Sequence, residues 1–175
     1  MREPIAAAIR SFAGAHPGLN ADLFEEYARV ALSRFHEPPA AFTFCVGDAS
    51  YPACVEFDLP DPRSEASLER ERFVELGAIV LAGLLLQAFE NKQITRVVGR
   101  GSRVDYFVGE DSGDFRWMLE VGGTDQRSFE VLRRTKRQQF EQSPYRQAPH
   151  YKDGFVSVTR FAPSAASSCD SVPAK

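Results

Sequence analysis

From Leu76 to Phe89 the chain is apolar on almost every side of a helix, with Gln87 inside the run and Glu75 and Glu90 at its ends. Such a run of about 14 residues falls short of the roughly 20 that cross a bilayer, so it reads as a helix buried within a fold. A helix that is apolar all round needs cover on two sides, and a sheet supplies one of them. The run is the second half of a longer helix that starts near Ser64 or Ser67 and reaches about Asn91; its first half is charged. The opening residues Met1-Arg2-Glu3-Pro4-Ile5 lack the apolar stretch of a secretory signal. The expected location is cytoplasmic, with no membrane contact.

The elements around this helix follow from periodicity and punctuation. Ala-rich residues 4–14, with Pro4 suited to a first turn, predict a short helix ending near Gly14 and Pro17. Asn20 is placed to cap a second, in which Leu23, Tyr27, Val30, Ala31 and Phe35 recur at helical spacing before Pro38-Pro39. Alternation of Phe42 with Phe44, and of Val55 with Phe57, predicts strands 41–46 and 53–59 joined by a loop over 47–52. That hairpin would set Cys45 nearly opposite Cys54, either as buried thiols or as a cross-strand disulfide. After a linker at 60–64 and the long helix come strands 94–98, 104–109 and 116–122, a basic helix 126–141 and a last strand at Phe155–Phe161.

A chain of 175 residues is about one domain's worth. We read 1–162 as a single α+β domain, with 1–60 preceding a core at 65–161. Residues 163–175, small and polar, read as a disordered tail. Charge divides unevenly. Residues 1–91 hold 7 basic against 14 acidic side chains, and residues 92–152 hold 12 against 8. The second stretch is therefore the one able to meet nucleic-acid phosphate, and the acidic half suits a protein partner. Cys45, Cys54 and Cys169 are too few and scattered for a zinc site, and His16, His36 and His150 do not cluster with them.

Two carboxylates stand inside otherwise apolar strands: Asp105 in Arg103-Val104-Asp105-Tyr106-Phe107, and Glu120 in Met118-Leu119-Glu120-Val121-Gly122. A buried carboxylate is costly unless paired, hydrogen-bonded or bound to metal. Two on adjacent strands can hold a hard divalent ion. Strict alternation cannot turn both Asp105 and Val108 to the core. On the basic helix Phe129, Leu132, Lys136 and Phe140 share one face, so Lys136 sits within an apolar stripe.

With its order of helix, three strands, helix and strand, the stretch 65–161 resembles the core of the PD-(D/E)XK nucleases. Asp105 matches the motif's aspartate and Glu120, 15 residues later, its second acid. The resemblance implies a restriction-endonuclease-like core and a nuclease using Mg²⁺ or Mn²⁺ at Asp105 and Glu120, with Glu75 on the preceding helix as a further metal-facing acid. The family's lysine would fall at position 122, where this chain has Gly122; Lys136 is the candidate replacement, because some members carry it on the next helix. Arg100, Arg103, Arg133, Arg134 and Arg137 would then contact flanking phosphates. The resemblance equally admits a catalytically inactive subunit that binds a protein partner in a bacterial multi-protein system. Structural readings stand beside each role: Asp105 as a turn cap or partner of Arg103, Glu120 as half of a buried pair with Lys136 or Arg133, Glu75 as a solvated acid favoured by the helix dipole, and Lys136 as a snorkelling chain.

Overall fold

The computed structural model describes residues 3–98, 104–147 and 153–173; the expected turn at 99–102, with Arg100, and also Arg103 and His150, lie outside them. The strands are β1 (Ile5–Ala8), β2 (Ala40–Val46), β3 (Ala49–Glu56), β4 (Gln93–Val97), β5 (Tyr106–Gly109), β6 (Trp117–Thr124), β7 (Gly154–Arg160) and β8 (Ala166–Val172). The helices are α1 (Phe12–Ala15), α2 (Ala21–Ser33), α3 (Pro62–Ser67), α4 (Arg70–Leu85) and α5 (Phe129–Glu141). The fold is α+β, and the eight strands form one mixed sheet in the order β1-β3-β2-β8-β7-β6-β5-β4.

The apolar run takes the place its composition demands. α4 continues through a π turn, Leu86–Glu90, so the whole helix is 21 residues long. It is long and apolar enough to cross a bilayer, yet most of it is buried inside the fold. One side lies on β6, where a Cβ at Gly123 would collide with the Val74 carbonyl; the other lies on α2, where a Cβ at Gly77 would crowd Ala31 and Ala28. Successive strand residues face opposite sides, and at Gly122 the contact is with Lys136 of α5. α4 and α5 thus cover opposite faces of the sheet.

Several expectations are corrected. Residues 5–8 form an edge strand parallel to β3, with Ile5 beside Ala53 and Ala8 beside Glu56. Alanine's helix preference is worth only tenths of a kcal/mol over most residues, less than a row of ladder bonds on an open sheet edge supplies. The β2–β3 loop is two residues, Gly47 and Asp48, and Gly47 takes the positive φ of 58° that such a tight turn requires of its first residue. β3 therefore begins at Ala49, and Cys45 faces Ser50 whereas Cys54 faces Ala41. Cys45, Cys54 and Cys169 are all free thiols. Pro52 is tolerated within β3 because its partner Thr43 turns its own amide to Ala165, which makes this a pair without ladder bonds. The missing N–H of Pro52 thus faces the side where β1 begins only at Ala53.

The expected long helix is two. Asp61 caps α3, its Oδ1 accepting from the Arg63 amide at 2.8 Å, and Leu68 takes an extended conformation before α4 starts.

The largest correction concerns the tail. β8 pairs with β7 along seven residues and with β2 on its other side, deep within the sheet. Low apolar content suggested disorder, but small side chains are what a strand crowded on both faces accommodates. The backbone of this strand is satisfied by two ladders, and its serines are absorbed: Thr159 Oγ1 and Ser167 Oγ lie 2.8 Å apart, and Ser157 Oγ donates to the Ser168 carbonyl at 2.7 Å.

Candidate active site

Asp105 precedes β5. Its amide donates to the Leu119 carbonyl at 3.0 Å, although Tyr106 is the residue in register with Leu119. Both faces of the sheet are covered, so alternation serves both residues: Val108 packs in the core on the α4 side, and Asp105 lies on the opposite face with Glu120 and Lys136. The Asp105 carboxylate turns to β6, where Oδ2 accepts from the Val121 amide at 2.8 Å.

Glu120 is buried in the middle of β6, its side chain 5% exposed. Lys136, halfway along α5, reaches down to it, Nζ donating to Oε1 at 2.7 Å. The path of the lysine depends on Gly122: a Cβ there would stand 2.9 Å from Lys136 Cε and 3.1 Å from Cγ. The absent side chain at 122 leaves the groove through which the Lys136 stem runs to Glu120. A branched residue would close it. Gly122→Val should therefore expel the lysine, leave Glu120 buried without its cation and lower stability by about 1–3 kcal/mol. Urea unfolding checks this, and an unchanged midpoint would mean that the stem has another route.

Burial, first, and the neighbouring Asp105 charge push Glu120 up to about 7, against the opposing pull of Lys136. Burial also raises Asp105, moderated by the Val121 amide and by Lys136. Two acids and one ammonium, largely out of solvent, hold a proton near neutrality that a cation can displace. Carboxylate oxygens are the donors a hard divalent ion takes, and Mg²⁺ commonly binds through one or two carboxylates with water and phosphate oxygens completing its shell. The residues present fit such an ion.

Glu75 is not brought into this cluster. It is exposed on α4, on the other face of the sheet, beside a polar depression that also involves Arg70, Thr124 and Asp125. Its charge reaches Tyr106, whose hydroxyl is raised chiefly by burial and then by Asp105 and Glu75. Among the described residues no three His, Cys, Asp or Glu side chains gather as a metal group.

The arginines divide. Arg134 and Arg137 are exposed on α5, Arg137 loosely paired with Glu141 at 3.8 Å. Arg133 is committed to the protein: its Nε and Nη2 donate to Asp170 at 3.0 and 2.8 Å, and Nη1 donates to Glu130 at 3.3 Å. Asp170 is the residue that sequence reasoning missed, because it sits in the segment read as a tail. The sole signal was an acid between Cys169 and Ser171 with Val172 just beyond, too weak to suggest a strand.

No family model matches the chain, and no curated protein or solved structure matches it either.

Proposed function

We propose that this protein is a PD-(D/E)XK-like nuclease that hydrolyses nucleic-acid phosphodiesters with Mg²⁺ or Mn²⁺, its lysine supplied by α5. The observation that carries the reading is the passage of Lys136 over Gly122 to Glu120, beside Asp105. The ammonium and the two carboxylates meet although 31 residues separate Asp105 from Lys136. The order α4, β4, β5, β6, α5, β7, with β6 and β7 parallel, supports a restriction-endonuclease-like core.

In this reading Asp105 and Glu120 give up their shared proton to hold the cation. The ion, when bound, lowers the pKa of a water and polarises the phosphate. Lys136 neutralises negative charge as it develops, a contribution that is often the largest in such chemistry. Arg134 and Arg137, exposed on the same helix, fix the register of flanking phosphates, and Arg100 and Arg103 are assigned the same part. Nucleic acid would lie along 92–152.

The test is cleavage of linear, nicked and single-stranded DNA and of RNA, with Mn²⁺ or Mg²⁺ and Glu120→Ala as control. Cleavage lost in the variant supports the reading. Millimolar Mn²⁺ should also raise the melting temperature of the wild type, and not that of Asp105→Ala or Glu120→Ala, since an ion at 100 times its Kd stabilises by about 2.7 kcal/mol.

A second reading rests on a specific observation: Lys136 already neutralises Glu120, and Asp105 already holds the Val121 amide. Both acids are satisfied by protein groups, as in an inactive nuclease-fold subunit whose acidic first half binds a protein partner. Absence of cleavage on every substrate together with an unmoved melting temperature favours this reading.

A further inference from the structure

We propose that Asp170 is a positioning residue: through Arg133 it sets where α5 lies on the sheet, and thereby holds Lys136 in line with Glu120. The chemical meaning of this arrangement rests on the nuclease reading; its geometry does not.

Arg133 and Lys136 are three residues apart on α5, and both reach down to acids on the same face of the sheet. Lys136 meets Glu120 on β6, and Arg133 meets Asp170 on β8. Between those strands runs β7, and its Val156 is in register with both Glu120 and Asp170. The two acids thus straddle Val156, two strand spacings apart, or about 9.5 Å. A helix tied at one point can still roll about its axis and slide along the strands. Two ties on different strands remove both freedoms.

The ties are unequal. Arg133 grips Asp170 with a fork of two donors, and the side chains are only 22% and 12% exposed. A bidentate guanidinium–carboxylate pair is directional. Lys136 ends in a single ammonium on a flexible stem, which does not define an orientation by itself. The remaining buried contacts of α5 are Phe129, Leu132 and Phe140, and apolar contact is non-directional. The stem also has little slack, since it runs within about 3 Å of where a Cβ at 122 would be. The orientation of Lys136 therefore traces to the fork on β8, a strand outside the core that carries the two acids.

The test is the reactivity of the Lys136 amine to an acetylating reagent, read lysine by lysine by mass spectrometry in the full-length chain, with Lys92 as internal reference. Glu120→Gln marks the rate of a lysine freed from its carboxylate. In Asp170→Asn, which keeps the shape and removes the charge, Lys136 should label roughly tenfold faster than in the wild type, as expected for groups coupled in one network. Asp170→Glu should restore part of the protection, and Glu130→Gln, which removes only the exposed partner of Arg133, should leave it unchanged. If the wild type cleaves nucleic acid, Asp170→Asn should lower kcat with KM nearly constant, because binding through Arg134 and Arg137 is untouched.

A folded Asp170→Asn with Lys136 as protected as in the wild type overturns the proposal and leaves Asp170 a mere fastening of β8. Should that variant not fold, Arg133→Lys, which keeps the charge and loses the fork, decides by the same labelling criterion. A wild type that cleaves nothing overturns the nuclease reading alone, since the labelling arm is independent of activity.

Discussion

A chain ending at Pro163 should show no cooperative unfolding transition, whereas the full chain should melt as a unit. β8 stands fourth in the sheet, between β2 and β7. Its removal separates β1, β3 and β2 from the four strands on the other side, and among the described residues no ladder joins the two groups directly. The loss includes seven register pairs with β7, three with β2, and the buried side chains of Ala166, Cys169 and Val172. Backbone hydrogen bonds are worth about 1 kcal/mol each, more when a buried partner is left unpaired. Domains of this size have only about 5–15 kcal/mol in total. Arg133 would also keep its charge without Asp170. Circular dichroism melting of the two chains compares them. A truncated chain that melts cooperatively within a few degrees of the full one would mean that residues 164–175 are the dispensable tail their composition suggests.

The second large effect is a pH dependence hidden by opposing titrations. His16 is fully buried, and its Nδ1 accepts from the Ile94 amide at 2.9 Å. Protonating that nitrogen would set one donor against another. Burial lowers this histidine from 6.5 to about 4. The unfolded chain binds a proton as pH falls through 6.5 while the native chain refuses it until about 4, so His16 destabilises progressively as pH falls across that window. Glu120 acts the other way. The unfolded chain loses its proton near 4.5 and the native chain keeps it to about 7, so stability falls as pH rises between those values. Each shift corresponds to about 3 kcal/mol at most, at 1.36 kcal/mol per unit. Over the shared window the two largely offset each other.

Glu120→Gln removes one of them. The variant should lose about 3 kcal/mol between pH 6.5 and 4 that the wild type retains, so that its stability relative to the wild type improves steadily as pH rises. Urea midpoints at pH 4.5, 5.5, 6.5 and 7.5 give the two slopes. Parallel slopes would mean that Glu120 titrates like a solvated carboxylate, and the description of the acid pair as holding a proton near neutrality would fail.

What the sequence made legible were features whose signal is local and whose cost of violation is high. The run from Leu76 to Phe89 had to be buried on two sides, and α4 lies between α2 and the sheet. The strands near 94, 106 and 117 and the basic helix ending at Glu141 fall where periodicity placed them, within a few residues. Lys136 stood out as a cation within an apolar stripe, and the structure pairs it with Glu120.

Other features are decided by what a segment meets, which no local pattern carries. Alanines at 5–8 became a strand because β3 offered an open edge, and the serines of β8 became sheet interior because β2 and β7 offered ladders on both sides. Gly122 as a sequence letter looked like a missing lysine; in three dimensions its missing side chain is the space another lysine crosses. Glu75, close to the motif in order along the chain, lies on the other face of the sheet, while Asp170, far from it, shares the face of Glu120. Burial and periodicity are written into neighbouring residues, and these set α2, the apolar body of α4, α5, most of the strands and the acids inside them. Which face an acid shares with which cation depends on strand order and crossover, and those are settled only when the sheet assembles.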